Sequence, residues 1–201
     1  NDCWSIRILQ NTGEGMDYYV INNDSIYNNA LPENNPNSLI GKTVVCFGDS
    51  ITGNYIAPDD YPSIVAKLTG ATVYNVGFGG CCMSDNNQQR KDFSMCRLAD
   101  SIYSGDFSAQ ENSGVSITSA IMTPTGFVDS GVDYVPTRIN TLESINWAKV
   151  DYITIAYGTN DFTSGYLIDN ENNKYDTTTY LGAFRYAIEK ILSSRSGNSA
   201  K

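Results

Sequence analysis

From residue 39 onward, short β-branched and apolar runs alternate with stretches of helical spacing. Thr43-Val44-Val45-Cys46-Phe47 is a continuous run of the kind that parallel sheets bury on both faces. Residues 71–76 and 151–156 predict a second and a third strand. Residues 61–68 predict a short helix, with Pro62 tolerated in its first turn. A final helix is expected over 178–192. There Tyr180, Phe184, Ala187 and Ile191 fall at helical spacing, and Leu181 and Ile188 widen the stripe. Strands alternating with helices imply a parallel sheet with right-handed crossovers.

Two segments depart from this rhythm. Between the second and third strands, residues 84–145 form an insertion longer than such folds normally use. It predicts a helix over 93–103, a loop-rich stretch over 104–136 and a helix over 138–145. Beside the strand ends, it could shape a substrate pocket or simply pack on an edge. Residues 1–38 predict two short strands, 5–9 and 18–21, and then an Asn/Pro-rich linker over 28–37. This part reads as a covering arm or the tail of a preceding module, and 39–201 as the main domain. Asn23-Asp24-Ser25 matches a glycosylation sequon.

Composition narrows the function. The chain has 201 residues, 41% hydrophobic, with 22 acids against 13 bases and a net charge of −9. Such a surface repels phosphate backbones, which argues against a nucleic-acid partner. No apolar run reaches the roughly 18–20 residues of a membrane span. The N-terminus has no signal-peptide layout and looks like a cut point inside a longer polypeptide. The cysteines are Cys3, Cys46, Cys81, Cys82 and Cys96, and there is no histidine, so a zinc site of the common kinds is not expected. Cys46 reads as a buried thiol. The cysteine pattern supports no disulfide framework, but leaves room for one bond among Cys81, Cys82 and Cys96.

The candidate chemistry sits where the strands end. Ser50 follows the first strand in Gly48-Asp49-Ser50-Ile51-Thr52, a turn that would expose a hydroxyl nucleophile. The second strand ends in Asn75-Val76-Gly77-Phe78-Gly79-Gly80, and the third in Gly158-Thr159-Asn160-Asp161. In open α/β sheets the ligand crevice lies at the carboxyl ends of the strands, so Ser50, Gly80 and Asn160 should meet there. A nucleophile, an unobstructed backbone N–H and a side-chain amide are what acyl transfer requires. Asp49 and Asp161 are expected to brace their turns.

These three blocks, in order, resemble those of the SGNH (GDSL-like) hydrolases, over roughly residues 39–192. The resemblance implies a three-layer α/β/α sandwich with a parallel sheet, similar to flavodoxin-like folds. It implies a serine esterase or deacetylase in which Ser50 forms an acyl-enzyme, while Gly80, Asn160 and the Ser50 N–H hold the oxyanion. No metal or organic cofactor is implied. The substrate would be a small-molecule or polysaccharide ester, plausibly an acetylated carbohydrate, in an extracellular or virion-associated setting.

The family's fourth block, an Asp-x-x-His that supplies the general base, has no match among these residues. One explanation is truncation at the C-terminal edge, with the rest of the same polypeptide as the missing partner and this piece inactive alone. The other is a non-catalytic binding or structural module, as in a surface or phage-tail assembly. Truncation is the favoured expectation, because a lost base rarely removes a whole β-α-β end.

Overall fold

The computed structural model describes residues 6–11, 16–21, 39–54, 60–123 and 126–195. The chain divides into two units, Asn1–Pro36 and Asn37–Lys201. The first holds an antiparallel hairpin of β1 (Ile6–Asn11) and β2 (Met16–Ile21), in register from Ile6 opposite Ile21 to Asn11 opposite Met16. The 28–37 linker, the Asn23 sequon and Cys3 lie outside the described residues.

The second unit begins with β3 (Thr43–Gly48), α1 (Ser50–Gly53), α2 (Tyr61–Thr69) and β4 (Thr72–Asn75). Asp60 caps α2 by accepting from the Ser63 N–H at 3.2 Å, and Pro62 occupies the first turn, where no intrahelical donor is required. Then come α3 (Met95–Ser104), α4 (Ser108–Glu111), β5 (Thr118–Thr123), β6 (Gly126–Asp133) and α5 (Val135–Ser144). The unit closes with β7 (Tyr152–Ala156), α6 (Thr159–Thr163) and α7 (Tyr180–Arg195). No helix among the described residues is long and apolar enough to cross a membrane.

The expected parallel sheet is present, with β3 central in the order β4-β3-β7. Its side chains alternate between two cores, which is why the run in β3 is continuously apolar. Val45 and Phe47 enter the larger core with Leu98 of α3, Leu142 of α5 and Ala187 of α7. Val44 and Cys46 face a smaller cluster with Ala71, Val73 and Tyr61. On β7, Ile153 and Ile155 pack against the larger core, while Tyr152, Thr154 and Ala156 are exposed.

The stretch expected as loop over 104–136 contains an antiparallel hairpin, β5–β6. It exposes Ile121, Val128 and Val132 and buries the polar Ser119, so these positions carry no apolar alternation of period two. The hairpin meets the main domain where the Ala120 N–H donates to the Asn54 carbonyl at 2.7 Å. The helix read over 138–145 starts earlier, at Val135, with Pro136 in its first turn.

One close approach sets the level of the strand ends. A Cβ on Gly77 would lie 2.7 Å from the Cβ of Thr52 and 3.0 Å from the Gly53 nitrogen, so the turn after β4 fits against α1 only without a side chain. Gly77→Ala is therefore expected to destabilise the fold by about 1–3 kcal/mol, measured as a lower urea midpoint at unchanged slope. An unchanged midpoint would show that the two turns separate freely.

Candidate functional site

From β3 the chain passes to β4 on one side of it, and later crosses to β7 on the other. The strand order thus reverses beside β3, the position where open α/β sheets form their crevice. Three turns leave the sheet at this end, each held from below by a different device.

After β3, the Asp49 carboxylate accepts from the Ile51 N–H at 3.0 Å and caps α1. Ser50 begins the helix, and its N–H has no hydrogen-bond partner among the described residues. After β4, the side chain of Asn75 folds the chain back. Its carbonyl accepts from the Gly77 N–H at 3.1 Å, and its amide donates to the Thr52 carbonyl and to Asp60. The Phe78 N–H donates to the Gly48 carbonyl at 2.9 Å, which fastens this turn to the end of β3. Gly80 has φ +72°, a left-handed conformation that glycine adopts without strain. Its carbonyl accepts from Asn87 Nδ2 at 3.0 Å, while its N–H is unpartnered among the described residues.

After β7, Asn160 and Asp161 point to the same neighbour. Asn160 Nδ2 donates to the Cys81 carbonyl at 2.8 Å, so the amide sits directly beside the Gly80 turn with a second N–H to spare. Asp161 is buried and accepts from the Met83 N–H, the Ser84 N–H and the Ser84 hydroxyl at 2.9, 3.0 and 2.7 Å. The brace expected for its own turn therefore reaches across to the chain beyond Gly80. The structure brings Asn160 against the Gly80–Cys81 segment and ties that segment to the strand whose end carries Ser50.

Several participants were not anticipated from sequence. Tyr134 accepts from the Gly79 N–H at 2.9 Å and donates to Asn54 Oδ1 at 3.2 Å. Arg138 lies 4.0 Å over the Tyr134 ring and donates to the Gly77 carbonyl. A legible signal existed for Arg138, a cation on the apolar stripe formed by Val135, Ile139 and Leu142. Arg90 lies against Gly80, and nothing in its local sequence marks it.

Burial governs the electrostatics. It holds the Asp49 carboxyl above its ordinary range, and the nearby Asp161 charge pushes the same way. Burial likewise pushes the Cys82 thiol up to about 12 and Cys96 up to about 11, which suppresses the thiolate. Cys46, Cys81, Cys82 and Cys96 are all free and buried, so the bond for which the sequence left room among the last three is not formed. No group of three or more metal-ligating side chains occurs among the described residues. A hollow lined by Tyr175, Phe184, Ile188 and Leu192 runs along α7 and takes no residue from the three turns.

Compared with known proteins, the chain matches no family model, no curated protein and no solved structure. The site offers a serine hydroxyl at the start of α1, two backbone donors without a partner among the described residues, and an amide with one hydrogen committed to Cys81.

Asp49 gives the site a pH signature. Its neutral form is favoured in the fold, so the folded protein binds this proton at a pH where the unfolded chain has released it. Stability is then lost as pH rises through the raised range. Asp49→Asn keeps an acceptor for Ile51 and is expected to be more stable than the native chain at pH 7, with the gap closing by about pH 4. Urea midpoints at the two pH values check this, and a gap independent of pH would remove ionisation as its cause.

Proposed function

We propose that this chain carries the nucleophile and oxyanion-binding parts of an SGNH-type serine esterase or deacetylase, built as a three-layer α/β/α sandwich. The observation that supports it most is the set of donors at the strand ends. The N–H groups of Ser50 and Gly80 have no partner among the described residues, and Asn160 keeps one amide hydrogen after serving Cys81.

In this reading the Ser50 oxygen attacks an ester carbonyl as its proton passes to a general base. The carbonyl oxygen becomes an oxyanion held by the Ser50 N–H, the Gly80 N–H and Asn160 Nδ2. Collapse of this intermediate breaks the ester bond, and the departing alcohol takes the proton. Water then attacks the acyl-enzyme by the same route and releases the acid. An acetyl ester on a carbohydrate is the substrate class proposed, in an extracellular or virion-associated setting.

The base is the part these residues do not supply as histidine. Asp49 adjoins Ser50, but its carboxylate is turned to the Ile51 N–H. The missing base supports a second reading, a binding module that keeps the fold without turnover.

Added imidazole separates the two. Hydrolysis of p-nitrophenyl acetate in imidazole, above the rate of imidazole alone, is expected for the native chain and not for Ser50→Ala. Asn160→Ala is expected to lower that rate by roughly a hundredfold or more. Equal rates for native and Ser50→Ala would remove Ser50 as nucleophile, and no rate above imidazole alone would favour the binding module.

A further inference from the structure

Arg90 lies beside the Gly80 turn. Its guanidinium occupies the space beside Gly80, with Nη1 2.7 Å and Cζ 3.1 Å from where a Cβ on that glycine would be. Its backbone is pinned there: the Arg90 N–H donates to the Asn87 carbonyl, and the Arg90 carbonyl accepts from the Phe93 N–H. Asn87 in turn donates to the Gly80 carbonyl, so the turn carrying Arg90 and the turn carrying the free N–H are one assembly.

The other arginines of this region have partners. Arg97 pairs with Asp85 at 2.7 Å, Arg185 forms a two-pronged pair with Asp169 at 2.8 Å, and Arg138 serves Gly77 and Tyr134. Arg90 has no carboxylate within ion-pair distance among the described residues. In a chain with 22 acids and 13 bases, a half-buried guanidinium without an acid is unexpected on charge statistics alone. Its charge falls on Cys81 and Tyr134, the side chains flanking the Gly80 turn.

We propose that Arg90 anchors a carboxylate on the substrate and so selects esters of acidic molecules, such as acylated acidic sugars. The proposal rests on Ser50, Gly80 and Asn160 forming the acyl-transfer site. A planar guanidinium fork matches a carboxylate with two parallel hydrogen bonds, which a lysine does not reproduce. Because Arg90 touches the residue whose N–H receives the oxyanion, the acid and the ester must be near neighbours on one molecule.

Boronic acids test this without requiring turnover, since they form a tetrahedral adduct on a serine oxygen. Phenylboronic acid and its meta-carboxy derivative would be titrated calorimetrically into the native chain, Arg90→Gln, Arg90→Lys and Ser50→Ala. The native chain is expected to prefer the carboxylated probe by roughly tenfold to a hundredfold. Arg90→Gln should abolish that preference while leaving the neutral probe unchanged, Arg90→Lys should keep only part of it, and Ser50→Ala should abolish both adducts. Equal weakening of both probes by Arg90→Gln, or no preference in the native chain, overturns the role of Arg90 and leaves Ser50 standing. Equal binding by native and Ser50→Ala, or no binding to the native chain, overturns the Ser50 reading itself.

Discussion

One buried carboxylate holds the far side of the site together. Asp161 accepts three hydrogen bonds from Met83 and Ser84, and so fastens the first turn of α6 to the chain just past Gly80. The same stretch is a junction for the rest of the domain. The Cys82 carbonyl receives the Met95 N–H at the start of α3, and the Asp85 N–H donates to Thr177 just before α7. Asp85 also pairs with Arg97 on α3. Removing the Asp161 acceptor would strand three buried donors, each costing about 1–3 kcal/mol, so the whole arrangement depends on this side chain. With the Asn160 to Cys81 bond beside it, the second and third turns behave as one body.

Much of this was legible in the chain because short-range physics dictates it. The β3 run is apolar at every position because both of its faces are covered, and that pattern survives in the sequence. The brace by Asp49 is a contact between residues two apart, which the turn itself fixes. The reach of Asp161 to Ser84 spans 77 positions, and only the order of the strands makes it possible. The β5–β6 hairpin was invisible for a different reason. Ile121, Val128 and Val132 are exposed, and the buried position Ser119 is polar, so these positions show no apolar alternation that could be read. Arg90 is hidden for a third reason: among the described residues it pairs with no carboxylate, and a sequence cannot show which pairs fail to form.

At each turn a donor and its support are adjacent in sequence but differ in burial. Asp49 is buried and Ser50 half-buried; Gly79 is buried and Gly80 half-buried; Asp161 is buried and Asn160 half-buried. An unpaired N–H sealed inside the protein would cost the fold its full desolvation penalty. Ser50, Gly80 and Asn160 sit at the boundary, where under the proposed function a developing negative charge would take up the donors. The rigid neighbour is what makes waiting useful. A donor whose direction is fixed by a buried bond pays no reorganisation when the oxyanion forms, which is the physical content of preorganisation. Asn160 shows this within one side chain: the hydrogen bonded to Cys81 sets the plane of the amide, and that plane fixes where the other hydrogen points. Substituting a buried support should therefore disturb the site through geometry, and substituting a half-buried donor should disturb it through charge.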